Sequence, residues 1–105
     1  MTDRALVTGG GGFLGRYIVA CLLARGDKVA IFSRGRYPEL AKMGARIIQG
    51  DLRDAEALDR ACEHIDVVYH VAAKAGLWGN WDDFHAVNVT GTENVIAACR
   101  RQGIA

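Results

Sequence analysis

Thr8-Gly9-Gly10-Gly11-Gly12-Phe13-Leu14-Gly15 is the stretch that decides the fold. Before it stands Ala5-Leu6-Val7-Thr8, a short apolar run that predicts a buried strand. After it, Phe13 to Arg25 predicts an amphipathic helix, with Leu14, Ile18 and Leu22 at fourfold spacing on one face and Gly26 just past the end. A strand that feeds a helix through such a turn needs glycine. The turn must be tight, the backbone must come close to a pyrophosphate, and the helix must start beside the sheet. The helix N-terminus then offers free N–H groups and the positive end of its dipole to the anion. The spacing fits two registers, Gly10-x-Gly12-x-x-Gly15 and Gly9-x-x-Gly12-x-x-Gly15, and leaves both open.

Outward from this turn, short apolar runs alternate with helical patterns. Lys28 to Phe32 predicts the second strand, Pro38 to Met43 a short helix, and Ala45 to Gln49 the third strand. Asp54 to Cys62 predicts the third helix with Asp54 as its N-cap, and Val67 to Val71 the fourth strand. Ala72 to Asn80 is expected as a loop. A long helix follows from about Trp81 to Arg101, with Phe84, Val87, Gly91, Val95 and Cys99 on one side and Gly103 beyond its end. The βαβαβαβα order implies an α/β, Rossmann-type doubly wound parallel sheet, truncated after the fourth βα unit. In that fold the long helix feeds a fifth strand, of which Ile104-Ala105 looks like the first step. Residues 1–105 are therefore expected to be an NAD(P)-binding Rossmann domain, the N-terminal fragment of a longer enzyme, with strand four left as an apolar edge.

About 20 residues past the glycine motif, an NAD binder usually carries an acidic side chain for the ribose 2′-hydroxyl. Here the second strand runs into Ser33-Arg34-Gly35-Arg36, which holds no carboxylate. An arginine pairs with a 2′-phosphate and stacks on adenine. The expected cofactor is therefore NADP(H), with Ser33 and Arg34 as contacts; NAD stays open as the alternative.

Composition excludes other classes. The formal net charge is +1 and basic residues are dispersed among acidic ones, which argues against nucleic acid as a partner. No apolar stretch approaches the ~18 residues of a membrane span, and no signal peptide is visible, so a cytoplasmic location is expected. Cys21, Cys62 and Cys99 are odd in number, widely spaced and without a Cys-x-x-Cys pair. They read as small buried thiols in a reducing compartment. His64, His70 and His85 show no ligand spacing, so no metal site is expected.

With these residues in hand, the chain resembles the N-terminal part of the extended short-chain dehydrogenase/reductase superfamily. The resemblance rests on the glycine loop, Asp51-Leu52-Arg53-Asp54, His70-Val71-Ala72-Ala73 and Asn88-Val89-Thr90-Gly91-Thr92-Glu93-Asn94, in that order. It implies cofactor contacts at Gly9, Gly12, Phe13, Leu14 and Gly15 of the loop. It also implies that Asp51 bonds the adenine amino group with Leu52 packing nearby, and that Ala72 and Ala73 line the cofactor channel. Asn88 would brace the long helix, and Gly91 would let that helix sit close to the sheet. Within the superfamily, Lys74-Ala75-Gly76-Leu77-Trp78-Gly79-Asn80-Trp81, followed by Asp82-Asp83-Phe84, looks most like the 3β-hydroxysteroid dehydrogenase group. Trp78 and Trp81 then form either an apolar wall for a flat substrate or packing anchors for the loop. Members of that group commonly use NAD with an acidic residue after strand two, where this chain has Ser33.

The superfamily's chemistry rests on a Ser or Thr at the end of strand five and a Tyr-x-x-x-Lys on the next helix. Four residues after Tyr17, Tyr37 and Tyr69 stand Cys21, Ala41 and Ala73, so no catalytic residue is expected in this chain. Alone it should bind cofactor weakly or not at all and turn nothing over. The function expected of the full-length protein is an NAD(P)-dependent oxidoreductase acting on a small-molecule substrate, a hydroxysteroid-like or other apolar alcohol or ketone. The alternatives are a nucleotide-sugar epimerase or dehydratase and a non-catalytic dinucleotide sensor. By the same analogy, a homodimer would form through one helical face that includes the long helix.

Overall fold

The computed structural model describes residues 3–9, 13–71 and 91–104. Four strands, β1 (Arg4–Thr8), β2 (Lys28–Ser33), β3 (Arg46–Gln49) and β4 (Val67–His70), form one parallel sheet in the order β3-β2-β1-β4. The helices are α1 (Phe13–Ala24), α2 (Pro38–Lys42), α3 (Ala55–Ala61) and α4 (Gly91–Gln102). Each falls within a residue or two of its expected span where the span is described. The expected loop over 72–80 and the first part of the expected long helix lie outside the described residues. β4 stands at a sheet edge beside β1.

The central strands β1 and β2 are apolar on both faces because both faces are covered. On β1 and β2, Ala5, Val7, Val29 and Ile31 point to one layer, where Val19 and Leu22 of α1, Leu40 of α2 and Ala45 meet them. Leu6, Ala30 and Phe32 point to the other, against Leu52, Leu58, Ala61 and Cys62 around α3 and Val95 and Ala98 of α4. Leu6, Val7, Ile31 and Phe32 are almost fully buried, which stabilises the fold by roughly 1.5–3 kcal/mol for each such side chain relative to an exposed one.

The buried stripe of α1 differs from the expected one. Gly15, Val19 and Leu22 are buried and Ile18 is half-buried, while Leu14 is 60% exposed. The reason is geometric: steps of four residues on a helix with 3.6 per turn rotate steadily away from a fixed face. The cysteines are not all buried as expected. Cys62 is buried and Cys99 half-buried, but Cys21 is exposed on the outer side of α1.

Three helices close in the same way. Gly26, Gly44 and Gly103 all have positive φ. After α1, the Gly26 N–H donates to Leu23 O and the Asp27 N–H to Leu22 O, both at 3.0 Å, a Schellman closure. Asp54 caps α3 as expected, accepting the Ala57 N–H at 3.1 Å.

Candidate cofactor-binding site

The order of the strands reverses at β1: β2 and β3 lie on one side of it and β4, parallel to it, on the other. In an open parallel sheet, ligands bind beyond the carboxyl ends of the strands at such a switch point. Gly9 stands there, with φ +77° and its N–H 3.4 Å from Phe32 O at the end of β2. This left-handed backbone costs an L side chain about 1–2 kcal/mol, which explains the glycine.

Behind the turn, three side chains are linked. The fully buried Thr8 hydroxyl lies 2.7 Å from His70 Nδ1, and His70 Nε2 lies 2.9 Å from the Thr92 hydroxyl on α4. The Val71 N–H donates to Thr8 O at 3.1 Å. Burial pushes the His70 imidazole below its ordinary value of 6.5 and so favours the neutral ring. A neutral imidazole donates from one nitrogen and accepts at the other, and each threonine hydroxyl can do either. Nothing in the sequence pattern singled out His70 or Thr92 for this role.

The loop after β2 carries the second expected group. Ser33 O accepts the Gly50 N–H at 2.8 Å, and Ser33 Oγ accepts the Gly35 N–H at 3.1 Å. Tyr37 Oη lies 3.3 Å from Ser33 Oγ. Its ring has the Arg16 guanidinium 5.9 Å above its centre, and Arg16 pairs with Glu39 at 2.6 Å. Arg34 is exposed, and its guanidinium makes no hydrogen bond or ion pair among the described residues.

After β3, Asp51 is held by Arg53. The guanidinium meets both carboxylate oxygens, at 2.7 Å for the shortest contact, and the Arg53 N–H donates to Oδ1 at 2.9 Å. Chiefly through the Arg53 side chain, with Arg34 adding a weaker pull, the Asp51 carboxyl is lowered to about 2. Leu52 is buried, and an added Cβ on Gly91 would sit 3.0 Å from Leu52 Cβ, so α4 packs here almost backbone to side chain. The Asn94 amide donates to Leu52 O at 2.8 Å. Asn94 was legible in principle, as a polar residue on the same helical side as Gly91, Val95 and Ala98.

Of the expected contacts, the structure brings Gly9, Ser33, Arg34, Asp51 and Leu52 to one edge of the sheet, at the ends of β1, β2 and β3. Gly15 is buried in α1 and Leu14 is exposed at its start. Gly12, Ala72, Ala73 and the side chain of Phe13 lie outside the described residues, as do Trp78, Trp81 and Asn88. The edge thus offers a glycine in left-handed backbone, a guanidinium that suits phosphate, and an ionised carboxylate that accepts from an amino group. That donor and acceptor set fits a dinucleotide. A cavity of about 280 Å³ beside the β2–α2 loop is lined by Arg36, Tyr37, Pro38, Ala41, Ile47 and Gln49. A larger one of about 590 Å³ lies at the other end of the sheet, around Arg4, His64 and Asp66, away from the strand ends where such folds bind ligands. Among the described residues, no group of His, Cys, Asp or Glu has the geometry to hold a metal, and no helix is long and apolar enough to cross a membrane.

The model of the NAD dependent epimerase/dehydratase family matches residues 5–105. A 2-alkyl-3-oxoalkanoate reductase of Stenotrophomonas maltophilia is 52% identical over 96% of this chain and 31% of its own length. A 3 beta-hydroxysteroid dehydrogenase/Delta 5-->4-isomerase of Mycobacterium tuberculosis is 40% identical over 96% of this chain and 29% of its own length. Among solved structures, the Bordetella bronchiseptica enzyme WbmG in complex with NAD and UDP superposes with a TM-score of 0.87 at 29% identity, covering 99% of this chain and 36% of that one. The chain spans roughly a third or less of the curated relatives it matches.

Proposed function

The chain belongs to the NAD dependent epimerase/dehydratase family, and we propose that it is the dinucleotide-binding part of an NAD(P)-dependent oxidoreductase of the extended short-chain type. The observation that carries this reading is the convergence of Gly9, the Ser33–Arg34 loop and Asp51 on one sheet edge. When bound, the nicotinamide exchanges a hydride with a substrate carbon. The chain's own residues bind and orient. The turn from Gly9 through Gly12, Phe13 and Leu14 to Gly15 receives the pyrophosphate, aided by the N–H groups at the start of α1. Asp51, ionised above about pH 2, accepts from the adenine amino group while Leu52 packs beside it. Ala72 and Ala73 line the channel towards the nicotinamide.

Arg34, with Ser33 beside it, favours NADP(H) over NAD(H), since a guanidinium pairs with a 2′-phosphate that a carboxylate would repel. An apolar ketone or alcohol, hydroxysteroid-like or alkyl-substituted, is the substrate class. It is supported by the names of the two relatives above, a 2-alkyl-3-oxoalkanoate reductase and a hydroxysteroid dehydrogenase. A second reading, nucleotide-sugar epimerisation, is favoured by the likeness to WbmG, solved with NAD and UDP. Ile96, 49% exposed on α4, supports a homodimer through that helix. Three free thiols suit a reducing cytoplasm.

The test is turnover by the whole protein with NADPH. Consumption of NADPH with a 3-ketosteroid or a 2-alkyl-3-oxo acid, and none with a UDP-sugar, is the expected result. Interconversion of UDP-sugars without net cofactor consumption would replace this reading by the second. The 105-residue chain alone is expected to give neither.

A further inference from the structure

Gln49 is the last residue of the edge strand β3, and its side chain is exposed. An exposed glutamine normally keeps its rotamer freedom. Here both ends of its amide are engaged by the same neighbouring loop. The Nε2 donates to Arg34 O at 3.0 Å, and Oε1 accepts from Arg36 Nε at a longer 3.4 Å. Chemistry fixes which way the amide points: Arg34 O can only accept, and Arg36 Nε–H can only donate.

We propose that Gln49 is a positioning residue for cofactor choice, bridging Arg34 and Arg36 so that both guanidinium groups face a 2′-phosphate. This rests on the NADP(H) reading given above. The Ser33 carbonyl is already tied to the Gly50 N–H at 2.8 Å, so Gln49 ties the next carbonyl along. Between two tethered carbonyls, the main chain at Arg34 has little freedom, and its side chain moves from a fixed Cα. At Arg36 the bridge occupies Nε and leaves the two terminal nitrogens. Those form the end-on pair that grips a phosphate through two parallel hydrogen bonds. An uncharged amide is the group the task requires. It orients Arg36 without neutralising it, whereas a carboxylate at the same place would pair with Arg36 and repel the phosphate.

The experiment is fluorescence titration of the intact protein with NADPH and with NADH, in wild type, Gln49→Ala, Gln49→Glu and Arg34→Ala. Wild type and Arg34→Ala test the cofactor reading; the Gln49 variants test the bridge. Expected are a wild-type preference for NADPH and a loss of that preference in Arg34→Ala. NADPH affinity should fall about 10-fold or more in Gln49→Glu and about 3-fold in Gln49→Ala, with NADH changed by less than about 2-fold, as befits a charge-assisted contact to the 2′-phosphate alone. If NADPH preference persists in Gln49→Glu while Arg34→Ala abolishes it, the bridge has no part in specificity and only this proposal falls. Parallel weakening of both cofactors in the Gln49 variants makes Gln49 a general structural residue and overturns it too. If wild type binds NADH as tightly as NADPH, the NADP(H) reading fails and this proposal fails with it.

Discussion

His70 and Thr8 meet side chain to side chain at 2.7 Å, across the two parallel strands where the strand order reverses. Because His70 also reaches Thr92, one imidazole joins β1, β4 and α4 directly behind the glycine turn. Its ring is held below the ordinary value of 6.5 by burial. As pH falls, the unfolded chain therefore takes up a proton before the folded one does. His70 should cost the folded state nothing above about pH 6.5, and increasingly more as pH drops towards the lowered folded value. Urea midpoints at about pH 7.5 and about pH 5.5 should show that decline in wild type, and a smaller one in His70→Asn. The substitution itself should cost about 1–3 kcal/mol at neutral pH, since it leaves a buried hydroxyl without its partner. Identical pH slopes in the two proteins would remove His70 from the explanation.

Asp51 titrates the other way. Arg53 lowers its carboxyl to about 2, so the contribution is complete above about pH 4 and is lost as pH falls through the folded value. Its side chain is 31% exposed and that of Arg53 46%, so solvent screening limits the pair to about 0.5–1 kcal/mol. Carboxyl carbon shifts followed by NMR should place the Asp51 midpoint near 2, and nearer the ordinary carboxylate value in Arg53→Ala. Asp51→Asn should lower stability by no more than about 0.5–1 kcal/mol while weakening cofactor binding by about 10-fold, through loss of the charged acceptor.

Gly91→Ala tests the approach of α4 to Leu52. The new methyl would stand 3.0 Å from Leu52 Cβ, closer than the two can comfortably pack. The helix or the Leu52 segment must shift, at a cost of about 1–3 kcal/mol. Asn94→Ala removes the amide that satisfies Leu52 O and should cost about 1–2 kcal/mol. The two sites share Leu52, so the double variant should depart from additivity. Denaturation midpoints of the two single variants and the double variant decide it.

Gly9→Ala should do more harm to binding than to folding. At φ +77° the strain is about 1–2 kcal/mol, a modest loss in a melting experiment. The methyl would also stand where the backbone must approach the pyrophosphate. Calorimetric titration of the intact protein with cofactor should show affinity reduced by about 100-fold or more, as is reasonable when a close backbone contact is blocked. Retained affinity would mean that the anion sits elsewhere.

The periodic features were legible in the sequence. Ala5 to Thr8 is short and apolar on both faces, Asp54 carries its cap in its side chain, and Gly26 marks the end of α1 through its own backbone freedom. What escaped depends on strand order. Thr8 and His70 are 62 positions apart, and His70 and Thr92 are 22 apart; only the crossover that sets β4 beside β1 brings them together. Gln49 escaped for a different reason. A glutamine at a strand end satisfies no propensity rule, and its meaning comes entirely from the loop opposite. Leu14 misled because fourfold spacing matches a helix face over one step but drifts over two.

β1 is the common wall of both hydrophobic layers, giving Ala5 and Val7 to one and Leu6 to the other. A slip of one residue in its pairing with β2 would exchange these sets, setting Leu6 where Ala5 or Val7 packs and mismatching side-chain volume in both layers at once. The same few side chains therefore set the alignment by their fit in two layers at once. The layers cannot melt independently: a probe on α1 and a probe on α4 should report one transition.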